Sequence, residues 1–424
     1  MHRFRSGILF PLVVLFLLLT PALYAQEAPL SIVASTSIAG DIIARVAGDD
    51  AEVASLIPRG LDPHSYQPTP AALRQLADAD LVFINGANYE EGLLAVIGAA
   101  VDDEALFVIS ECVPIIPGGH MHDHHDHGHD DHADEHDHED EDDDHADEHD
   151  HEGEDDDHAD EHDHEGEDDD HADEHDHEGE DDDHADEHDH EGEDHHHDLG
   201  IHEDAGERCA RHEMELGDRF QKLQDDEVSP GPLHAVDCEA IGGCDPHVWL
   251  QVRGIAHWVL SARDILSAHD SAHAEGYHAR ADSFLDEIEV LEQDELLPLI
   301  ATLPVEQRLL VSHHFSLGYF AGAYGFAELG TVVPGLSGLA EPGVAELAAI
   351  IDLVRERNLS AIFGEATSDD DDLMRQVSNE TGAALVDLDL ETLGEEGSPI
   401  GTWIGLMRSN TEAIVGALSG EMSG

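Results

Sequence analysis

The sequence predicts an α/β protein with two lobes, each a parallel sheet covered by helices, and one long connecting helix between the lobes. Short apolar runs alternate with amphipathic stretches over residues 30–110 and again over residues 308–418. This alternation with short connections is typical of strands and helices in parallel sheets. Between the two sets, residues 274–297 place apolar side chains at alternating steps of four and three. That spacing puts them on one face of a long helix.

The first set predicts four strands and three helices. The strands are expected at residues 31–35, 52–57, 80–85 and 106–110, and the helices at residues 38–46, 70–76 and 89–97. Pro70 suits the first turn of the second helix, where the missing N–H costs no helical hydrogen bond. Residues 208–223 fit either an amphipathic helix or a hairpin. The first lobe is expected to span residues 26–268.

The second set follows the connecting helix, which is expected within residues 270–300 after a shorter helix at residues 254–266. At about 1.5 Å per residue, a helix over residues 274–297 spans roughly 35 Å, enough to join two lobes. The second lobe is expected to span residues 303–424. Its strands are predicted at residues 308–312, 327–333, 361–365 and 383–389, and its helices at residues 318–324, 344–357, 371–381 and 402–418.

Residues 1–25 have the parts of a secretory signal peptide. His2, Arg3 and Arg5 make a basic start, residues 8–19 an almost unbroken apolar core, and residues 22–25 a region suited to cleavage. The apolar run is too short for a membrane span. The mature chain is therefore expected to begin near Gln26 and to be exported to a bacterial periplasm.

A run of histidine and acidic residues interrupts the first lobe at residues 120–198. It contains 24 of the chain's 36 histidines, 44 of its 99 acidic residues and no lysine or arginine. A 13-residue unit, HADEHDHEGEDDD, recurs along the run and holds one alanine and no large apolar residue. Because nothing in it could be buried to offset the loss of chain entropy, the run is predicted to be disordered. Its side chains suit weak, interchangeable sites for zinc, copper or nickel, which is favoured over a merely solvating linker.

The charge of the chain restricts its partners. The formal net charge is −82, and −38 remains when residues 120–198 are set aside. Such a surface repels nucleic-acid phosphates and anionic lipid headgroups and attracts cations. The sequence therefore argues against a nucleic-acid partner and favours metal ions.

Four cysteines allow three disulfide pairings in an oxidising compartment. Cys238 with Cys244 would close a short loop just before His247, and Cys112 with Cys209 would then clamp the two ends of the repeat run. A zinc–thiolate site is the alternative, but no Cys-x-x-Cys spacing occurs.

Three histidine segments outside the repeats point to a metal site. The tripeptide Asp-Pro-His occurs twice, at His64 and His247, and His314 closely follows a predicted strand. Ligands of parallel sheets bind beyond the carboxyl ends of the strands, where three acidic residues are also expected: Glu365, Asp389 and Glu391. Three imidazoles with a carboxylate or water suit zinc, whereas manganese prefers more oxygen ligands. Four other histidines are expected on the surface of helices: His257, His269, His273 and His278.

Several segments carry a resemblance to a known family: DPHSYQPTP, DLVFINGANYE, DPHVWL, HFSLGYFAGAYGF, PGLSGLAEPGVAELAAIID, IFGE and GTWIGLMRSNTEAIVGAL. Through them the chain resembles the periplasmic solute-binding proteins of zinc and manganese ABC importers, which have a rigid helix between two α/β lobes. The resemblance covers residues 30–420 apart from the inserted run. A His/Asp-rich insertion in the first lobe is similar to the zinc-selective branch.

The resemblance implies three histidine ligands. His64 and His247 match the two ligands of the first lobe. His314, rather than His313, matches the third because it stands five residues before Tyr319. Manganese-type members have a glutamate at that position, so the histidine favours Zn²⁺ over Mn²⁺.

The fourth position departs from the family pattern. Glu391 stands where the family has an aspartate, just before a Leu-Gly pair. Glu391 is the predicted fourth ligand, and Asp389 or water are the alternatives. Glu365 matches a family glutamate that is not usually a ligand and therefore ranks lower.

The resemblance implies a function without catalysis. A monomeric protein would capture Zn²⁺ in the periplasm and deliver it to a membrane permease with its ATPase subunit. A manganese-importer component is one alternative, and a periplasmic zinc buffer or chaperone acting through the repeats is another. A zinc hydrolase would also use three histidines, but no HExxH motif occurs. Because capture needs neutral imidazoles, affinity is expected to fall as the pH drops through roughly 6.5.

Overall fold

The computed structural model describes residues 28–90, 92–118, 205–224, 229–337, 340, 342–367 and 372–420. The predicted signal peptide and the repeat run lie outside the described residues. Within them, the chain forms two four-stranded parallel sheets and one small two-stranded antiparallel sheet. The predicted two-lobe α/β architecture is confirmed.

The first sheet has the strand order β2–β1–β3–β4. Its strands are β1 (Leu30–Ala34), β2 (Ala51–Ser55), β3 (Leu81–Ile84) and β4 (Leu106–Val108). The helices of this lobe up to β4 are α1 (Ser37–Ala47), α2 (Pro70–Ala77) and α3 (Leu94–Ala100). All four residues of β3 are buried, as expected for a parallel strand covered on both faces. Farther along, β5 (Pro114–Ile115) pairs with β6 (Gly231–Pro232), and α4 (Ala205–Leu216) lies between them in sequence.

Helix α3 begins five residues later than predicted. The segment before it turns sharply, with positive φ angles of 54° at Ala87 and 61° at Asn88. The buried carboxylate of Glu90 accepts hydrogen bonds from the backbone N–H groups of Asn85 and Gly86, at 2.6 and 3.2 Å. This side-chain bonding holds the segment in a turn instead of a helix.

The second lobe follows a long helical segment. Helix α5 (Val252–His269) packs against α6 (Ala274–Val290), which continues through a π-helical turn (Leu291–Leu296) into α7 (Leu297–Ile300). From residue 274 to residue 300 the segment is about 40 Å long at 1.5 Å per residue. It is the predicted connecting helix. None of the helices in the described part of the chain has the length and hydropathy needed to cross a membrane.

The second sheet has the strand order β10–β9–β7–β8. Its strands are β7 (Leu309–Ser312), β8 (Ala327–Thr331), β9 (Ala361–Glu365) and β10 (Ala384–Leu388). The helices of this lobe are α8 (Gly318–Tyr324), α9 (Val344–Arg357), α10 (Asp372–Thr381) and α11 (Trp403–Ser419). The strands and helices of this lobe follow the predicted order, with ends that differ by at most two residues.

The two lobes are joined by direct hydrogen bonds as well as by the helix. The indole N–H of Trp403 donates to the carbonyl of Trp249 at 2.8 Å, and the backbone N–H of Leu393 donates to Ser37 Oγ at 3.0 Å. Arg59 of the first lobe donates to two backbone carbonyls of the second. These hydrogen bonds hold the two lobes together.

Helix α4 covers one face of α5, and this overturns one prediction. His257 was expected at the surface, but it is fully buried and its Nε2 lies 3.0 Å from a carboxylate oxygen of Glu213 on α4. The spacing of apolar residues in α5 gave no sign of this covering helix. His269, His273 and His278 are exposed, as predicted.

Both disulfides are those considered from the sequence. Cys112 bonds to Cys209, and Cys238 bonds to Cys244. No cysteine is free. The zinc–thiolate alternative is therefore wrong.

Candidate metal centre

Four side chains from different segments meet between the lobes. His64 lies in the loop after β2, His314 two residues after β7, and Glu391 three residues after β10. His247 lies in the loop that leads to α5. One ligand atom from each of these residues lies within 4.8 Å of the others. The set His64, His247, His314 and Glu391 is called the interlobe cluster below.

The spacing within the interlobe cluster matches a small coordination sphere. The Nε2 atom of His247 lies 3.2 Å from Glu391 Oε1 and 3.3 Å from His314 Nε2. His314 Nε2 lies 3.7 Å from the same Glu391 oxygen, and His64 Nε2 lies 3.9 Å from Glu391 Oε2. Ligand atoms of a tetrahedral zinc site are about 3.3 Å apart when the bonds are about 2.0 Å. The cluster is therefore the right size for one ion.

The two Asp-Pro-His loops share one local structure. The backbone N–H of His64 donates to Asp62 Oδ1, and that of His247 donates to Asp245 Oδ1, both at 2.9 Å. An aspartate side chain that accepts a hydrogen bond from the backbone N–H two residues later makes a compact turn. The proline between the two residues adds rigidity, because its ring fixes its own φ angle. The tripeptide thus presents a histidine from a rigid turn, which explains why it occurs twice.

Carboxylates outside the interlobe cluster contact two of its imidazoles. Asp245 Oδ1 also bonds His247 Nδ1 at 2.7 Å. Glu365 Oε1 lies 2.6 Å from His314 Nδ1. Such partners orient a ligating histidine and leave its other nitrogen, here Nε2, for the metal.

A tyrosine hydroxyl positions the carboxylate of Glu391. Tyr89 donates to Glu391 Oε2 at 2.6 Å, while Glu391 Oε1 is buried without a hydrogen-bond partner among the described residues. His64 Nε2 is also buried without a hydrogen-bond partner among the described residues. A buried polar atom without a partner costs about 1–3 kcal/mol. Unpartnered atoms that converge on one point are what a cation would satisfy, so the donor set fits a metal.

Electrostatics separate the roles of the two Asp-Pro-His histidines. Burial disfavours a charged His247, but the nearby carboxylates of Glu391 and Asp245 outweigh it and raise the pKa of His247 to about 10. Burial lowers the pKa of His64 despite the opposing effect of Glu391. Burial would raise the pKa of Glu391, yet the surrounding imidazoles hold it well below its usual value. The raised pKa therefore favours, without metal, a His247 imidazolium between the carboxylates of Glu391 and Asp245.

The structure brings all four predicted ligands together. Among the described residues, Asp389 belongs to no group of candidate ligands, and its backbone is held by the side chain of Asn410. Glu365 reaches the other side of His314. Sequence reasoning assigned no role to Asp245 or Tyr89, although both lie in the segments that carry the resemblance. The position of Asp245 two residues before a histidine was the available signal.

Two α/β lobes with a buried cluster of three histidines and one carboxylate between them define a two-lobe metal-binding protein. A family model described as zinc-uptake complex component A, periplasmic, matches residues 32–417. The chain belongs to this family. It is therefore a metal-binding periplasmic component of the ABC-transporter type, as the resemblance implied, and not a member of an enzyme family.

Individual relatives are similar over different lengths. The manganese-binding lipoprotein MntA of Halalkalibacterium halodurans is 24% identical over 391 residues, 92% of this chain and 89% of its own length. The zinc-binding protein TroA of Treponema pallidum is 26% identical over 180 residues, 41% of this chain and 58% of its own length. The names of these relatives thus include both metals.

Solved structures show the same fold. The periplasmic zinc-binding protein TroA from Treponema pallidum has a TM-score of 0.58 and 17% identity, covering 92% of this chain and 99% of its own. A manganese-bound periplasmic metal-binding protein from Candidatus Liberibacter asiaticus has a TM-score of 0.57 and 18% identity, covering 92% and 100%. At this identity the likeness concerns the fold alone.

Proposed function

We propose that the protein captures Zn²⁺ at the interlobe cluster and delivers it to the membrane permease of an ABC importer with its ATPase subunit. The proposed ligands are His64, His247, His314 and Glu391. The observation that carries the proposal is the convergence of one nitrogen from each of three imidazoles and one carboxylate oxygen within 4.8 Å. The signal peptide predicted at residues 1–25 supports export to the periplasm.

The donor set favours zinc over manganese. Three nitrogen ligands and one oxygen ligand in a compact sphere suit Zn²⁺, whereas Mn²⁺ prefers more oxygen ligands in a larger coordination number. Tyr89 supports this preference, because its bond to Glu391 Oε2 at 2.6 Å leaves one carboxylate oxygen for the ion. Relatives named for manganese and for zinc both exist, so the argument for zinc rests on this chain's own ligands.

The site suits binding and release without catalysis. His247 and His314 are fully buried and Glu391 is 2% exposed, so bulk water has little access to the ion's position. Four protein ligands close a tetrahedral sphere, whereas catalytic zinc keeps one position for water or substrate. Transport is therefore favoured over hydrolysis.

Competition between the two metals tests the proposal. Mature protein would be equilibrated with equimolar Zn²⁺ and Mn²⁺, and the metal retained after gel filtration in a weak chelator would be quantified. We expect zinc at one tight site. Retention of manganese in preference to zinc would contradict the proposal.

A matched variant locates the source of the preference. His314→Glu exchanges an imidazole nitrogen for a carboxylate oxygen, so it should shift the balance toward manganese. His278→Glu introduces the same chemical change on the exposed face of α6 and should leave the ratio unaltered. An equal shift in both variants would show that the ratio reflects overall charge instead of the interlobe cluster.

A further inference from the structure

A second group of candidate ligands adjoins the interlobe cluster. One ligand atom from each of His313, His314 and Glu365 lies within 4.8 Å of the others. The two histidines follow β7, and Glu365 is the last residue of β9. Strands β7 and β9 are parallel neighbours, so their carboxyl ends bring the three side chains together. This set is called the second-lobe group.

Three polar atoms of the second-lobe group are buried without a hydrogen-bond partner among the described residues. His313 is 8% exposed, His314 is fully buried and Glu365 is 7% exposed. His313 Nδ1, His314 Nδ1 and Glu365 Oε1 all lack a hydrogen-bond partner among the described residues. Burying one such atom without a partner is unfavourable, and three in a single group require an explanation. The same condition marks His64 Nε2 and Glu391 Oε1 of the interlobe cluster.

The contact between Glu365 and His314 can be explained by a role of Glu365 in orienting the His314 ring. Glu365 Oε1 lies 2.6 Å from His314 Nδ1, although the contact lacks hydrogen-bond geometry. That role does not require His313. Yet His313 Nδ1 lies 3.8 Å from the other oxygen, Glu365 Oε2, and its ring packs edge-on against His314 with centroids 5.8 Å apart. Two imidazole nitrogens and a carboxylate that face one another make a ligand set.

We propose that His313, His314 and Glu365 form a second binding position for the same divalent cation, through the Nδ1 atoms of both histidines and a Glu365 oxygen. The proposal rests on the proposed function because it shares His314 with the interlobe cluster. Nitrogen and oxygen ligands in this ratio suit zinc.

The two positions exclude each other. A neutral imidazole carries a proton on one nitrogen and offers a lone pair on the other. His314 offers Nε2 to the interlobe cluster and Nδ1 to the second-lobe group, so it serves one ion at a time. The ring of His314 therefore carries its proton on Nδ1 when it serves the interlobe cluster and on Nε2 when it serves the second-lobe group.

The second position draws its ligands from one lobe, whereas the first draws them from both. All three of its residues belong to the second lobe, whereas His64 and His247 of the interlobe cluster are supplied from outside that lobe. The second-lobe group can therefore hold the cation without the Asp-Pro-His loops in place. It is a holding position from which the ion passes to the interlobe cluster.

Anomalous diffraction at the zinc edge tests the proposal on the full mature chain crystallised with Zn²⁺. In the wild type, the peak is expected at the interlobe cluster, and its absence there would overturn the proposed function. In His247→Ala, the interlobe cluster loses a ligand and the peak is expected among His313, His314 and Glu365. Glu391→Gln, which is nearly isosteric, repeats the test with less risk to folding.

The double variant His247→Ala/His313→Ala is the matched control and should lose the second peak. If zinc stays with the remaining three residues of the interlobe cluster in both single variants, the second position is refuted while the proposed function stands. If the peak among His314 and Glu365 survives removal of His313, the ligand assignment is wrong. Two wild-type peaks with occupancies that sum to more than one would overturn the exclusion.

Discussion

The two Asp-Pro-His loops have the same tripeptide and the same aspartate-to-backbone bond, but different surroundings. His247 is fully buried, and Asp245 bonds both its backbone and its ring. His64 is partly exposed at the edge of the interlobe cluster, and its Nε2 lies 3.9 Å from the nearest Glu391 oxygen.

The difference shows that a motif determines a turn, whereas packing determines what the turn does. The Cys238–Cys244 disulfide precedes the His247 loop, and α5 follows it so closely that a Cβ at Gly254 would lie 2.2 Å from the carbonyl oxygen of Val248. The His64 loop lies at residues 58–69, where several side chains are exposed, Leu61 to 45%. We infer that His247 is the fixed ligand and His64 the adjustable one.

The largest expected effect comes from removing each histidine in turn. His247→Ala should weaken zinc binding by more than the roughly 10–100-fold typical of losing an outer partner of a metal ligand. His64→Ala should weaken it less, because water can enter the more exposed position and replace the imidazole. Chelator competition measures both, with His278→Ala as the exposed control. An equal or larger loss in His64→Ala would remove the distinction.

Replacing the aspartate should likewise cost more zinc affinity in the His247 loop than in the His64 loop. Asp245→Asn breaks the carboxylate contact with His247 Nδ1 and should weaken zinc binding by about 10–100-fold. Asp62→Asn keeps a carbonyl oxygen that can accept the backbone bond of the same turn, so its effect should be smaller. Titration of both variants beside thermal unfolding separates loss of affinity from loss of fold. The contrast fails if Asp62→Asn costs as much affinity as Asp245→Asn.

Proton release should come from one loop alone. The raised pKa of His247, about 10, means that zinc must displace a proton from it at pH 8, whereas the lowered pKa of His64 leaves that ring neutral. Protons compete with zinc, so affinity should fall about tenfold for each unit that the pH drops between 9 and 7. This replaces the sequence-based expectation of a fall centred near pH 6.5.

Calorimetry in buffers of different ionisation enthalpy measures the number of protons released. One proton per zinc is expected at pH 8, and fewer in Glu391→Gln, where the carboxylate that raises the pKa of His247 is lost. A flat affinity between pH 7 and 9 would show that His247 is already neutral in the metal-free protein.

The smallest effect should be on overall shape. The connecting helix and the bonds from Trp403, Leu393 and Arg59 hold the lobes together, so the radius of gyration should change little when zinc binds. Hydrogen exchange should instead slow at residues 58–69 more than at residues 245–250. If small-angle scattering showed a large closure on zinc binding, the protein would adapt to the ion by moving its lobes and not by a change in the His64 loop.

Sequence periodicity was enough for the fold because parallel strands and their covering helices have distinct spacings. It failed in two places. Glu213 of α4, which is distant in sequence, contacts His257, so α4 covers a face of α5 that was expected to be exposed. The side chain of Glu90 bonds the backbone of the turn just before α3, and an apolar periodicity does not register such a bond.

Part of the candidate site could also be predicted from the sequence, and part could not. The four predicted ligands converge because each follows a strand end or a proline-braced turn, which the sequence indicates. The roles of Tyr89, Asp245 and His313 depend on which side chains face one another across the lobes. Those contacts appear only once the strand ends of both sheets are in place.

The most direct test of the central claim compares zinc affinity in the mature protein and in a version lacking residues 120–198. Both would be titrated with Zn²⁺ against a competing chelator. The interlobe cluster predicts that the shortened protein keeps one tight site and loses weak ones. If tight binding disappears with the repeats, the interlobe cluster is not the capture site, and a zinc buffer acting through the repeats is the better explanation.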